Sequence, residues 1–313
     1  MELDLSRCFD FGTNFTVQLI NVSENQTFRI DLADGRKFAL RLARHGYHTV
    51  SELNSEISWI EALRKQSTIL LSKPVVGRDG KFLQLIAGHH AFLFEWIEGS
   101  EPKISDNLLG LASQLGIISA KLHEHALNWQ RPLNFNRPRW DFAAALGRES
   151  RWGDWRKGLG VKPQMLPVLS RTVGEIERRL KIYGTDPSRF NLIHGDLRLA
   201  NILRHKNKLT LIDFDDSGFG WLMYDAATMI SFHEHEPQAE SMIDEWIAGY
   251  RSVRSLTNKD EGAVHTLIML RRILLLAWLG SHSQTELAHE VKSVFADQSL
   301  ELCDRFLVRG KIF

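Results

Sequence analysis

His194-Gly195-Asp196-Leu197-Arg198-Leu199-Ala200-Asn201 and, shortly afterwards, Leu211-Ile212-Asp213-Phe214-Asp215 form the most informative pattern in this chain. Asp196 and Asn201 stand five residues apart in a polar segment, and Asp213 ends an apolar run. Phosphoryl transfer from ATP needs one carboxylate that accepts the proton of a hydroxyl, together with an amide oxygen and a second carboxylate that hold Mg²⁺. The spacing H-x-D-x-x-x-x-N, followed by Asp-Phe-Asp, therefore predicts a kinase-like phosphotransferase.

The residues around this pattern support the prediction. Residues 202–203 and 209–212 are typical of two short strands, and the polar residues 205–208 between them are typical of a turn. A hairpin of this kind would bring Asn201 and Asp213 to the same end, where both could reach one metal ion. A capped turn beside an ordinary hairpin is the alternative interpretation, and the combination of offsets disfavours it.

Composition limits the classes of partner. The 313 residues include 39 Lys and Arg and 38 Asp and Glu, a formal net charge of +1, which argues for neither a nucleic-acid nor a membrane partner. Cys8 and Cys303 lack metal or disulfide spacing, and residues 1–4 are acidic without a signal-peptide apolar segment. The longest apolar run, residues 267–279, is interrupted by Arg271 and Arg272. We therefore expect a cytoplasmic chain with no nucleic-acid and no membrane partner.

The first hundred residues are rich in β-type segments. Strands are predicted over 16–20, 26–32, 36–43, 75–86 and 91–96, with a hairpin turn at 33–35. The apolar spacing over 52–66 predicts one helix, for which Ser51 is the expected N-cap. Strands with one inserted helix match the small lobe of a kinase.

After Gly99 the chain becomes mainly helical. Helices are predicted over 107–126, 166–180, 225–233, 239–253 and 261–279. The whole pattern predicts the α+β class and a protein-kinase-like bilobal fold, with a small antiparallel β-sheet N-lobe carrying one helix and a larger, mainly helical C-lobe. We expect a nucleotide-binding lobe over 1–95, a hinge over 96–99 and a catalytic and acceptor-binding lobe over 100–313, with the nucleotide in the crevice where the lobes meet.

These motifs resemble those of the aminoglycoside phosphotransferase and choline kinase family, over about residues 17–279. Within that family, Phe38-Ala39-Leu40-Arg41-Leu42, Arg44-His45-Gly46-Tyr47-His48 and Ser55-Glu56-Ile57-Ser58-Trp59 resemble the bacterial homoserine-kinase-like and stress-response-kinase-like branches. The resemblance implies an ATP- and Mg²⁺-dependent kinase.

The same resemblance assigns roles in the catalytic segment. Asp196 is expected to be the catalytic base, which orients the acceptor hydroxyl and takes its proton. Asn201 and Asp213 are expected to be Mg²⁺ ligands. Asp215 is expected either to contact a second metal ion or to hold the loop. Arg198 is expected to neutralise charge on the γ-phosphate, with a solvated loop arginine as the alternative.

In the small lobe, the family places a basic residue on the third strand, paired with a helix glutamate. Arg41 stands there in place of the usual lysine, and Glu56 is the expected partner. Arginine can grip the α- and β-phosphates with its planar fork. A surface Arg41–Glu56 pair without a nucleotide is the alternative.

Two further nucleotide contacts are expected from the family. The loop over residues 21–26 lacks glycine, and Asn25 tolerates the left-handed backbone that could present N–H groups to phosphate; an ordinary hairpin is the alternative. Glu95 and Ile97, where the two lobes are predicted to meet, are expected to offer backbone groups to the adenine edge. Asp225 is expected to be a helix N-cap that supports the catalytic loop.

Three other features receive structural explanations. The His-Glu-His triplets 123–125 and 233–235 place their histidines on different helix faces, so these histidines are expected at helix ends or on the surface. The tryptophans, including Trp152 and Trp246, are expected in the core, with an aromatic box for a cationic amine as the alternative. The acidic cluster is expected to be a solvated helix face, with ammonium binding as the alternative; its members are Glu234, Glu236, Glu240 and Asp244.

The sequence therefore predicts a kinase that phosphorylates a hydroxyl on a small, amine-bearing acceptor such as homoserine, an amino alcohol or an aminoglycoside-like molecule. A Ser/Thr protein kinase of the stress-response type is a second hypothesis. The chain lacks an Ala-Pro-Glu signature and leaves only a short segment between Asp213 and Asp225, which disfavours it. A nucleotide-binding pseudokinase scaffold is a third, and the presence of Asp196, Asn201 and Asp213 argues against it.

Overall fold

The computed structural model describes residues 5–12, 14–22, 25–103, 106, 108–292 and 294–313. The chain forms two compact units. The first unit comprises Met1–Glu101, Gln130–Arg137 and Ile202–Asp215, and the second comprises Pro102–Trp129, Pro138–Asn201 and Asp216–Phe313. The functional division at the hinge 96–99 stays a prediction.

The strands of the described residues are β1 (Phe15–Val22), β2 (Gln26–Leu32), β3 (Lys37–Leu42), β4 (Leu70–Leu71), β5 (Pro74–Val75), β6 (Gln84–Ile86), β7 (His89–Glu95), β8 (Arg139–Trp140), β9 (Phe190–Ile193), β10 (Ile202–His205), β11 (Lys208–Leu211) and β12 (Gly218–Trp221). The helices are α1 (Val50–Gln66), α2 (Leu109–Asn128), α3 (Phe142–Leu146), α4 (Leu166–Tyr183), α5 (Tyr224–Met229), α6 (Ala239–Arg251), α7 (Asn258–Ser281), α8 (Glu286–Val291) and α9 (Phe295–Arg309).

The main sheet of the first unit is antiparallel, in the order β1-β2-β3-β7-β5, with β6 also paired to β7. Alternate residues of its strands face the core, as the period of a strand requires. The buried apolar residues of β2 and β3 are Phe28, Ile30, Leu32, Phe38, Leu40 and Leu42. Apolar residues from the N-terminal segment cover this face, namely Leu5, Phe9 and Phe11.

Helix α1 starts two residues earlier than the sequence predicted. Its N-cap is Thr49, not Ser51, because the Thr49 side chain accepts the backbone N–H of Glu52 while the Glu52 carboxylate accepts that of Thr49. This reciprocal arrangement is a capping box. The predicted apolar face is buried, and it consists of Leu53, Ile57, Ile60 and Leu63.

The strand predicted over 75–86 is interrupted. Only β5 and β6 pair with β7 there, because the intervening chain turns back on itself with Gly77 N–H donating to Lys81 O and Gly80 in the left-handed region. The hairpin predicted after Asn201 is confirmed: β10 and β11 are antiparallel, and β11 also pairs in parallel with β4.

The second unit is mainly helical. Helices α2 and α6 pack closely at two glycines, since a Cβ on Gly116 would lie 2.0 Å from Trp246 O and one on Gly249 would lie 2.0 Å from Ser113 O. A small sheet, β8-β12-β9, carries the chain into and out of the catalytic segment. The close approach of the α2 and α6 backbones explains why neither Gly116 nor Gly249 could be replaced by a residue with a side chain.

Helix α7 is the core helix of the second unit and packs against α4, α5 and α9. In the described part of the chain it alone has the length and mean hydropathy, 1.5, of a membrane-spanning helix, yet 89% of that stretch is buried within the fold. Arg271 and Arg272, which interrupt its apolar sequence, are both fully buried.

Two expectations about surface residues are wrong. His123 is fully buried rather than at a helix end or on the surface, because both of its ring nitrogens have buried partners. Glu234 is buried rather than part of a solvated face, because its carboxylate lies 2.6 Å from Arg272 Nη1. The tryptophans do pack in the core: Trp152 and Trp246 are 4% and 0% exposed.

Candidate active site

Residues 194–201, the predicted catalytic segment, begin where β9 ends, in the second unit. The four residues of β9 are buried, so the strand delivers His194-Gly195-Asp196 from a rigid base. Gly195 has φ +80°, and a Cβ there would lie 2.5 Å from Asp216 O. The residue before Asp196 must therefore be glycine for two independent reasons, backbone conformation and space.

Asp225 fixes the backbone of this segment. Its two carboxylate oxygens accept the N–H groups of His194, at 3.1 Å, and Gly195, at 2.9 Å. Asp225 lies within α5 and not at its N-cap, so the predicted capping role is wrong. Its contacts with His194 and Gly195 do support the segment that carries Asp196. His123 Nε2 lies 3.0 Å from Asp225 Oδ2, and Tyr250 Oη lies 2.9 Å from His123 Nδ1.

The Asp196 carboxylate is held on both oxygens. Oδ2 accepts Asn201 Nδ2 at 2.7 Å and Arg198 Nε at 3.1 Å, and Oδ1 contacts Arg271 Nη2. Burial alone would raise the pKa of Asp196, but the charges of Arg271 and Arg198 outweigh it and hold that pKa below its ordinary value. Asp196 is therefore an ionised carboxylate with a fixed orientation.

Arg271 is a functional candidate that the sequence reasoning missed. Its Nε donates to Ser231 Oγ at 3.0 Å, its Nη1 lies 3.4 Å from Tyr224 Oη, and its guanidinium lies 5.2 Å from the centre of the Trp152 ring. The sequence did carry a clue, because a charged residue in an apolar core helix requires a buried partner. Only the fold identifies that partner as Asp196.

The first unit brings Arg41 and Glu56 together. Arg41 Nη2 lies 2.8 Å from both Glu56 carboxylate oxygens, and Arg41 Nη1 lies 3.2 Å from Asp213 Oδ1. Both Arg41 and Glu56 are buried, so the surface-pair alternative is excluded. Phe92 and Phe94 flank the guanidinium, with ring centres at 5.3 and 5.8 Å. The role of this pair in nucleotide binding stays a prediction.

Asp213 and Asp215 occupy different environments. Asp213 has φ +58°, a strained conformation for an aspartate, and its side chain is 42% exposed. Asp215 is buried, with Oδ2 3.5 Å from His48 Nε2 and Oδ1 3.8 Å from Arg41 Nη2. Burial raises the pKa of Asp215, but the adjacent His48 and the charges of Arg41 and Arg137 together bring that pKa well below its ordinary value.

Arg137 is a second residue that sequence reasoning missed. Its Nη1 donates to Glu52 O at 2.9 Å, and its Nη2 contacts Asp215 O and lies 3.2 Å from Phe214 O. It thus ties helix α1 to the turn after β11. No local pattern marks it, because it stands in an irregular segment far along the chain from both partners.

The other predicted nucleotide contacts are dispersed over the first unit. Asn25 is buried; its Oδ1 accepts the N–H of Arg44 at 3.1 Å, and it lines a cavity of about 400 Å³. The rest of the predicted phosphate loop includes Ser23 and Glu24, which lie outside the described residues. The backbone N–H of Glu95 donates to Lys73 O at 2.9 Å, and Ile97 follows the end of β7.

Comparison with known proteins defines the family. The APH model, described as "Phosphotransferase enzyme family", matches residues 16–260, which is most of the chain. This chain belongs to the phosphotransferase enzyme family. The phosphotransferase is thus a kinase that acts on hydroxyl groups of small molecules, as the sequence predicted.

Solved structures show the same fold. The phosphotransferase resembles a microcompartment-associated aminopropanol kinase with a TM-score of 0.90 and 37% identity, over 99% of this chain and 97% of that one. It resembles the amicoumacin kinase hAmiN in fold, with a TM-score of 0.76 and 18% identity over 98% and 92% of the two chains. The predicted α+β, protein-kinase-like fold is confirmed.

A curated relative extends the comparison. The homoserine kinase of Granulibacter bethesdensis is 27% identical over 208 residues, which cover 64% of this chain and 60% of that protein. The chain is therefore similar, at low identity, to a homoserine kinase, as the predicted resemblance to that branch implies.

The donor atoms of this phosphotransferase suit a hard cation. In the second unit, Asn201 donates its amide nitrogen to Asp196 and does not use its carbonyl oxygen in that contact. In the first unit, Asp213 and Asp215 carry carboxylates. Asp215 Oδ1 is buried and makes no hydrogen bond to any described residue. The described residues contain no cluster of three or more His, Cys, Asp or Glu that would hold a metal ion. Amide and carboxylate oxygens are the ligand types that Mg²⁺ takes, together with waters and substrate phosphates.

Proposed function

We propose that this kinase transfers the γ-phosphate of ATP, with Mg²⁺, to a hydroxyl of a small amine-bearing acceptor. An amino alcohol is the first candidate, because the aminopropanol kinase is 37% identical across nearly the whole of both chains. Homoserine and aminoglycoside-like acceptors belong to the same chemical class of hydroxylated amines. A cytoplasmic location remains a prediction.

The observation that carries the proposal is the ionised Asp196 carboxylate with Asn201 fixed against it at 2.7 Å. The acceptor hydroxyl donates its hydrogen bond to Asp196, and its oxygen attacks the γ-phosphorus. A new P–O bond forms as the bond between the γ-phosphorus and the bridging oxygen breaks, and ADP leaves with that electron pair. The hydroxyl proton passes to Asp196 late in the transfer, so the orientation of the carboxylate matters more than its basicity.

Charge compensation comes from several side chains. Asn201, Asp213 and Asp215 are the residues proposed to hold Mg²⁺, which when bound neutralises the phosphates. Arg41 is proposed to grip the α- and β-phosphates, kept in place by Glu56, and Arg198 to neutralise the γ-phosphate. Asn25, Glu95 and Ile97 are proposed to complete the nucleotide contacts.

The segment after Asp215 supports a small acceptor over a protein. Residues 218–221 form β12, which pairs with β8 and β9, and α5 follows almost at once. That part of the chain is sheet and helix, which leaves no long activation segment among these described residues to cradle a peptide.

The proposal is tested by the acceptor-dependent release of ADP from Mg-ATP, across 1-amino-2-propanol, ethanolamine, homoserine, choline, an aminoglycoside and a generic protein substrate. We expect turnover with an amino alcohol, and a loss of at least about 10²-fold in kcat for Asp196→Asn, which keeps the shape of the side chain. Asp304→Asn, the same change on the exposed surface of α9, is the matched control and should keep full activity.

Each other outcome has a distinct meaning. Labelling of protein alone would replace the proposal with the protein-kinase hypothesis. ATP binding without turnover of any substrate would support the pseudokinase scaffold instead. Full activity in Asp196→Asn would remove Asp196 from the chemistry.

A further inference from the structure

Arg271 is an unusual residue for the middle of a core helix. It lies on α7, is 2% exposed, and reaches the catalytic segment through Asp196 Oδ1. Ser231 and Tyr224 engage its Nε and Nη1, and the Trp152 ring lies beside the guanidinium. The guanidinium therefore has little freedom to rotate. It fixes one oxygen of the Asp196 carboxylate relative to helix α7.

The hydrogen bonds of Asp196 show where the acceptor can bind. An ionised carboxylate accepts about four hydrogen bonds, two on each oxygen. Among the described residues, Arg198 and Asn201 both donate to Oδ2, whereas Arg271 is the donor to Oδ1. Oδ1 thus retains a place for one more donor, and an acceptor hydroxyl is such a donor.

We propose that Arg271 is the positioning residue of the transfer: it clamps Asp196 Oδ1 so that this oxygen faces the acceptor hydroxyl. This inference rests on the proposed function. Arg271 acts through Asp196, because a guanidinium held by three side chains cannot follow a moving substrate. It contributes a fixed orientation to the catalytic carboxylate.

The neighbouring Arg272 provides a matched control. It is also fully buried on α7, but it turns to Glu234, at 2.6 Å, and to Ser299 Oγ, at 2.7 Å. Its contacts hold α9 against α7 and do not involve the catalytic segment. The same substitution at the two adjacent positions therefore separates a role in the transfer from a role in the fold.

The experiment is a double-mutant cycle. Arg271→Met is made in the wild-type chain and in Asp196→Asn, and kcat, the KM for ATP and the KM for the acceptor are measured for all four proteins. We expect Arg271→Met to lower kcat by about 10²-fold in the wild-type chain, since misplacing a reacting group by about 1 Å has that effect. In Asp196→Asn it should lower kcat by no more than about threefold, because effects of residues that act as a unit are not additive.

Conservative variants protect the test against loss of folding. Arg271→Lys should recover part of kcat, whereas Arg272→Lys should lower the melting temperature and leave kcat unchanged. If Arg271→Met does not fold, the cycle is run with Arg271→Lys. Equal falls in kcat in the wild-type and Asp196→Asn chains would overturn the proposal, and so would full kcat in Arg271→Met.

Melting temperatures of the four proteins separate this proposal from the proposed function. Asp196→Asn should restore part of the stability that Arg271→Met loses, since it removes a buried charge left without its partner. Recovery of stability in the double variant, without turnover of any acceptor, would overturn the proposed function and would show only that Arg271 and Asp196 are in contact. Turnover with additive losses of kcat would overturn the positioning role alone.

Discussion

His123 Nε2 lies 3.0 Å from Asp225 Oδ2 in the second unit, and neither side chain is exposed to solvent. Asp225 in turn accepts the backbone N–H groups of His194 and Gly195. Helix α2 therefore supports the catalytic segment through two buried side chains, although no residue of α2 belongs to the catalytic motif.

Replacing His123 by leucine should destabilise the chain and reduce its activity. The Asp225 carboxylate would lose a buried partner, which costs about 3–5 kcal/mol in the free energy of unfolding. Urea denaturation measures this change, and kcat should fall because Asp225 no longer holds the loop. His125→Leu, two residues along the same helix and half-buried, is the control, with an expected cost below about 1 kcal/mol. Equal costs for both variants would show that the buried contact is unimportant.

Gly195→Ala should abolish most of the activity. The new Cβ would lie 2.5 Å from Asp216 O in a left-handed conformation, so the segment that carries Asp196 must shift. We expect kcat to fall by at least about 10²-fold and the free energy of unfolding by about 1–3 kcal/mol. Gly174→Ala is the control, because that glycine lies on the exposed side of α4 with open space around it, and alanine there should stabilise the chain by about 0.5–1 kcal/mol. Wild-type kcat in Gly195→Ala would contradict this account of the loop.

Asparagine substitutions should separate the roles of Asp213 and Asp215. Asp213 is partly exposed, so Asp213→Asn should keep the melting temperature but raise the Mg²⁺ concentration needed for half-maximal activity by about tenfold or more. Asp215 lies among His48, Arg41 and Arg137, so Asp215→Asn should lower the melting temperature because buried cations lose their counter-charge. Calorimetry and Mg²⁺ titration of kcat measure the two effects. The reverse assignment of effects would refute this division of roles.

Cys303 should resist thiol reagents in the native chain. Burial raises the pKa of its thiol to about 12, so at pH 8 only about one thiol in 10⁴ is ionised. Because the unfolded thiol ionises near pH 8.5 and the folded one does not, this group stabilises the fold fully below that pH and progressively less as pH rises towards 12. Reaction with a disulfide reagent at pH 8 should label Cys8 first and Cys303 only in denaturant. Rapid labelling of native Cys8→Ser would contradict the burial of Cys303.

The sequence predicted those parts of the molecule that local patterns specify. The hairpin after Asn201, the apolar face of α1 and the strands β2 and β3 follow from alternation, helical spacing and turn residues within short windows. The family and the kinase-like fold followed from these same motifs.

The residues that hold the catalytic segments could not be predicted in this way. Arg271 is 75 residues from Asp196 in sequence, and Arg137 is 78 residues from Asp215. Their importance arises from tertiary contacts, and a single sequence does not show which distant residues come into contact. Buried charge was the available clue, because a cation inside a core helix implies a buried anion somewhere else in the chain.

The first unit is assembled from three stretches of chain, and this has a consequence for biosynthesis. Strand β4 pairs with β11, and the Glu52 carbonyl of α1 accepts a hydrogen bond from Arg137, so a nascent chain that has emerged only to Glu101 lacks both partners. Translation delivers residues from the N-terminus at a limited rate. The amino-terminal unit therefore cannot complete its fold on the ribosome until Asp215 has left the exit tunnel, by which time the catalytic loop has already been made.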